Sequence, residues 1–124
     1  MSLTPAQLAR LQAVLEAAFQ AEQARLADVS RRIETVQARL DALRRPCLPE
    51  AEQDISVAAM AEANMRWRTW VEDRRRRLNE ELARLRQEKE ARRADLAAAF
   101  GKRQAADAMQ EKLQAEARQK ARRF

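Results

Sequence analysis

Trp67 and Trp70, three residues apart and followed by the run Arg74-Arg75-Arg76-Arg77, are the side chains of this 124-residue sequence best suited to binding chemistry. Residues three apart share a helix face, tryptophan is enriched at binding hot spots, and guanidinium groups present planar, permanent charge. Two readings of the pair stand open: packing inside a helix seam, or an exposed anchor for a partner. Four arginines in a row on a helix point in four directions, so at least one approaches the seam while the others face water. The run then serves as a solvated, partly ion-paired face, as a contact for an acidic protein, or as a nucleic-acid contact. Proteins that stack bases interleave aromatics with such charge, and aromatics are only 4% of this chain, which counts against nucleic acid.

The residues also exclude much chemistry. With no histidine and one cysteine, zinc centres and histidine-assisted nucleophiles are ruled out. The single glycine, Gly101, cannot form a phosphate-cradling loop. The paired carboxylates Glu72-Asp73 and Glu80-Glu81 stand beside arginines, where surface ion pairing is the ordinary use. Cys47, between Pro46 and Pro49, reads as a passive loop residue. No catalytic, cofactor or metal-binding residue is expected, and no enzyme.

The elements that would position these groups are helical. Alanine, glutamate, arginine, leucine and glutamine dominate, and glycine is nearly missing, so a fold of many short elements joined by turns is disfavoured. Thr4 and Pro5 suit an N-cap and a first helical position. From there Leu8, Leu11, Leu15, Phe19, Glu22, Leu26, Val29, Ile33, Val36, Leu40 and Leu43 step by three or four, a heptad stripe. Pro46 and Pro49 interrupt it, and Asp54 or Ser56 is placed to cap a second helix. The second stripe collects Val57, Met60, Asn64, Trp67, Val71, Leu78, Leu82, Leu85 and Leu96, with the stems of Arg74, Lys89 and Arg92 filling in. The expected fold is all-α, one antiparallel coiled-coil hairpin over residues 1–124 with helix 5–44, loop 45–54 and a longer second helix 55–120.

With the turn centred near Glu50, residue i would face residue 100 − i, placing Leu40 near Met60 and Leu8 near Arg92. The stretch after Leu96 would then be an overhang with no partner in the chain, weakened or ended at Gly101. Charge is one-sided as well. Residues 1–43 balance five arginines against five acids, 44–65 carry −2, and 66–124 carry +8 of the net +6. A partner with an acidic surface, or nucleic acid, is expected on that side. No secretory signal and no apolar run of about 20 residues is found, so a cytoplasmic chain without membrane insertion is expected.

Several of these residues resemble a known family. The stretch from Asp54 through Asn64, Trp67, Trp70 and Val71, the Arg/Glu/Gln-rich helix after it, and the segment Gly101–Gln114 with its basic end are similar to the FliJ family of flagellar export proteins and the YscO-type stalk proteins of type III secretion. The resemblance implies a hairpin like the stalk of a rotary ATPase, seated at the pore of a hexameric export ATPase, touching the cytoplasmic domain of the export gate and escorting export chaperones. It implies a location peripheral to a membrane export apparatus. Trp67 and Trp70 fall nearest the family's apolar gate-binding patch, while Asp73 and the arginine run replace further apolar residues, which favours an injectisome-type member. On this reading Trp67, Trp70, Arg74, Arg75, Arg76 and Arg77 meet the gate or a chaperone, and Lys102, Arg103, Lys112, Arg118 and Lys120 meet the ATPase. The chain is expected as a monomer or weak homodimer. The alternatives from other classes are a basic coiled coil binding nucleic acid and a dimerisation module.

Overall fold

The structure, a computed structural model, describes residues 3–44 and 56–123. It is all-α: α1 spans Pro5–Ala42 and α2 spans Val57–Arg123, 38 and 67 residues. The expected loop 45–54, with Cys47 and the candidate cap Asp54, lies outside the described residues, as does residue 55.

Both helix starts have a local chemical cause. At α1 the Gln7 amide donates to Thr4 Oγ1 (3.2 Å) and the Thr4 amide donates to Gln7 Oε1 (3.1 Å), a reciprocal capping box that satisfies two otherwise orphaned donors. Pro5 comes next, at the position where its missing N–H costs nothing. At α2 the Ala59 amide donates to Ser56 Oγ at 3.2 Å. The last turn of α1 tightens, with the Leu43 amide shared between the Arg39 and Leu40 carbonyls and the Arg44 amide donating to Asp41. Gly101 neither ends nor breaks α2, which runs on through it to Arg123.

The helices contribute to two compact units, one of residues 1–28 with 89–124 and the other of residues 29–88. In the second unit Val29, Ile33 and Val36 of α1 form a buried cluster with Leu78, Leu82 and Leu85 of α2, and Leu40 and Leu43 pack against it. Large β-branched and leucine side chains meet from both sides there, and burial is correspondingly deep. Val71 is also buried.

The first unit is put together differently. Gln12 Nε2 donates to Asp107 Oδ1 (3.1 Å) and Gln110 Oε1 (2.6 Å), Arg103 Nη1 donates to Glu16 Oε2 (3.2 Å), and the Phe19 and Phe100 rings lie 6.0 Å apart. Rising positions on α1 meet falling positions on α2, so the helices are antiparallel with residue i opposite roughly 119 − i to 122 − i. This corrects the expected register. Leu8 is level with the stretch around Leu113, with which it lines a groove, and not with Arg92. It also overturns the expected overhang after Leu96, because most of that stretch lies against the N-terminal half of α1. Leu8 and Ala106 are the unit's buried apolar residues, while Leu15, Phe19, Leu26, Leu96, Ala99 and the stems of Lys89 and Arg92 are half-buried. Leu11, expected in the seam, is 37% exposed; Gln12 takes the inward position, since the steps 8, 12, 15, 19 keep the four-three alternation.

Candidate functional site

The tryptophan pair stands on α2 eleven and eight residues before Leu78, the first member of the buried cluster on that helix. The second unit draws residues 29–42 from α1 but residues 57–88 from α2, and on α2 the cluster ends at Leu78. From there toward its N-terminus α2 runs on for about twenty residues, roughly 30 Å. In this unit, then, the beginning of α2 runs past the end of α1, and in the other unit the register leaves the last turns of α2, after about residue 117, beyond Pro5.

On this stretch the indoles of Trp67 and Trp70 stack on each other, centroids 5.2 Å apart and planes 24° from parallel, and remain 38% and 51% exposed. Spacing of three on a helix brings the rings together, and neither fills a closed seam layer, contrary to the packing alternative for Trp67. Met65 and Val57 are more exposed still. Trp70, Met65 and Thr69 line a shallow groove whose remaining walls are Glu62, Arg66 and Asp73.

Most arginines here are already engaged along the helix. Arg66 pairs with Glu62 (2.9 Å), Arg75 with Glu72 (3.1 Å), and Arg76 and Arg77 share Asp73 (2.8 and 3.2 Å). Such exposed pairs one turn apart contribute only tenths of a kcal/mol each. Their larger effect is to lower the free charge of the run. Arg68 and Arg74 form no ion pair among the described residues, so they are the cations best placed to meet an acidic surface beside the indoles.

The second predicted set divides. Arg103 belongs to the contact between helices: its guanidinium carbon sits 4.3 Å from the Phe19 ring centre and 5.6 Å from that of Phe100, and it bonds Glu16. Lys102 is exposed and lines a groove with Leu15, Ala18 and Glu22. Lys112, Arg118 and Lys120 are exposed on the last turns of α2, so the structure does not bring the five together as one patch. Sequence reasoning missed the Glu16–Phe19–Phe100–Arg103 cluster. Its signal was Arg103 falling at an inward heptad position three residues after an aromatic, a place where a cation needs a ring or a carboxylate.

Among the described residues, no group of three or more His, Cys, Asp or Glu is placed to hold a metal ion, and no helix is long and apolar enough to cross a membrane. No protein-family model, no curated protein and no solved structure matches the chain.

Proposed function

We propose that this chain is a non-enzymatic coupling protein that works by docking on other proteins, and that it serves as a stalk and chaperone-escort component of a type III export apparatus. The observation that carries the docking reading is the stacked, half-exposed Trp67–Trp70 pair on a stretch of α2 outside the buried cluster. Leaving two indoles in water is unfavourable, and a tryptophan side chain, with two χ angles, has little conformational entropy to lose on binding. Arg68 and Arg74 beside it suit an acidic rim on the partner. The resemblance of the Asp54–Val71 and Gly101–Gln114 stretches to FliJ and YscO-type proteins supplies the partners: export gate or chaperone at the indoles, export ATPase at the exposed cations Lys112, Arg118 and Lys120 of the last turns of α2.

A chain cut after Leu96 does not test this, because the cut removes what α1 packs against. The test is a binding titration of the full chain on the gate's cytoplasmic domain and on the ATPase hexamer. Replacing both tryptophans by alanine is expected to weaken gate or chaperone binding by about thirtyfold, the loss of roughly 2 kcal/mol that defines a hot spot. Replacing Lys112, Arg118 and Lys120 by glutamate should weaken ATPase binding while leaving the gate untouched. Wild-type chain that binds none of the three partners sinks the export reading, and tight binding of duplex DNA or RNA that falls steeply with salt would replace it.

A further inference from the structure

We propose that residues 1–28 and 89–124 carry a self-association surface on which a second copy of this chain docks antiparallel, about a two-fold axis, to give a four-helix assembly. The two flanks of this unit are unlike. One is closed by the bonds from Gln12 to Asp107 and Gln110, from Arg103 to Glu16, and by the cation held between Phe19 and Phe100. The other has no polar bond across the helices among the described residues, and carries instead a groove of about 270 Å³ floored by Ala18, Ala98 and Ala99.

Helical spacing extends that flank. Val14, Leu15 and Ala18 lie three, four and seven residues after Leu11 on α1, and Ala98, Lys102 and Met109 share the corresponding stripe on α2. Leu11, Val14 and Met109 are 37%, 64% and 42% exposed, so an apolar strip continues beyond the groove into water. An alanine floor lets another helix approach at the short end of the usual interaxial range.

Charge decides the occupant and its direction. Glu22 and Asp95, each beside an arginine of its own helix (Arg25 at 2.8 Å and Arg92 at 3.6 Å), stand at one end of the groove and Lys102, unpaired among the described residues, toward the other, two helical turns or about 10 Å along α2 from Asp95. A second copy laid parallel sets like charges together. Laid antiparallel, it places its own Lys102 against Glu22 and Asp95, and by symmetry receives the same contact in return. The Glu22 side chain is 17% exposed, with Oε1 paired to Arg25 at 2.8 Å and Oε2 turned inward without a hydrogen-bond partner. An ammonium group arriving at the rim of the groove meets the exposed part of this carboxylate and adds charge attraction there without reaching the enclosed oxygen. Lys102 is exposed and forms no ion pair among the described residues. The surface uses neither tryptophan, and the inference does not rest on the export reading.

Sedimentation equilibrium on the full chain tests it. A monomer–dimer equilibrium is expected, weakened about tenfold or more by Lys102→Glu, which sets like charges on both ends of the groove, and by Ala98→Arg, which fills the floor. Both positions are exposed within one copy, so helicity by circular dichroism should not change. Adding Glu22→Lys to Lys102→Glu should recover association. A chain still monomeric at about 1 mM, the limit of meaningful affinity at roughly −4 kcal/mol, overturns the proposal. So does a dimer that either single variant leaves intact.

Discussion

The guanidinium of Arg103 lies close enough over Phe19 to bring its central carbon 4.3 Å from the ring centre, while Nη1 reaches Glu16 one turn earlier on α1 at 3.2 Å. A cation drawn from α2 is thus held by a ring and a carboxylate of α1. Partial burial, 31% exposure for the arginine side chain and 46% for the glutamate, makes the ring contact the larger contributor and the ion pair the smaller. Arg103→Ala should therefore cost about 1–2 kcal/mol in urea unfolding. A double-mutant cycle with Phe19→Ala should return a coupling near ~1 kcal/mol; zero coupling would show the contact contributes nothing.

Gly101 offers the opposite change. It sits inside α2 with nothing within 4 Å of the place a β-carbon would occupy, and its φ is not positive. Gly101→Ala should raise stability by about 0.5–1 kcal/mol, because alanine has fewer unfolded conformations to lose. A lower melting temperature in this variant would contradict an unbroken α2.

The deep cluster and the partly covered contacts should respond unequally to truncation. Leu78 is 2% exposed and shares its cluster with Ile33, Val36 and Leu82, so Leu78→Ala should cost about 3 kcal/mol. Leu11→Ala, at 37% exposure, should cost under about 1 kcal/mol. Equal losses in denaturant titrations would mean that Leu11 is an inward seam residue after all.

Cutting the chain after Leu96 separates the two registers. An unpartnered tail could be removed with α1 unchanged, whereas here Phe100, Arg103, Asp107 and Gln110 are what Phe19, Glu16 and Gln12 touch. The shortened chain should lose ordered helix in residues 5–22, seen as amide exchange at least about tenfold faster there than in the full chain.

The chain has two tryptophans, so its emission reports on Trp67 and Trp70 alone. Half-exposed rings beside Arg68 and Arg74 should show a higher ratio of iodide to caesium quenching than free N-acetyltryptophanamide does, and the excess should shrink with added salt. A ratio equal to that of the free indole would remove the cationic surroundings that the docking reading relies on.

Helical class, the two N-caps and the stripe on α1, except that Gln12 and not Leu11 turns inward, were legible in residue types and spacing. Thr4 and Ser56 are short acceptors before helix formers, and the three-four alternation from Leu8 to Leu43 allows one inward face whatever the partner. That Trp67 and Trp70 share a helix face was equally legible from their spacing of three. Tertiary structure alone decided which residues meet. A heptad stripe repeats itself every two turns, so sliding one helix past the other by seven residues leaves the pattern unchanged. The choice falls to side chains that are not equivalent under that slide: the large Phe19 against the tail's Phe100, Arg103 finding both a ring and Glu16, and Gln12 finding Asp107 and Gln110. Those contacts fix residues 1–28 against 89–124 and give most of the stretch after Leu96 a partner in α1, a choice that a stripe repeating alike along 38 and 67 residues leaves open and only the packing of particular atoms makes.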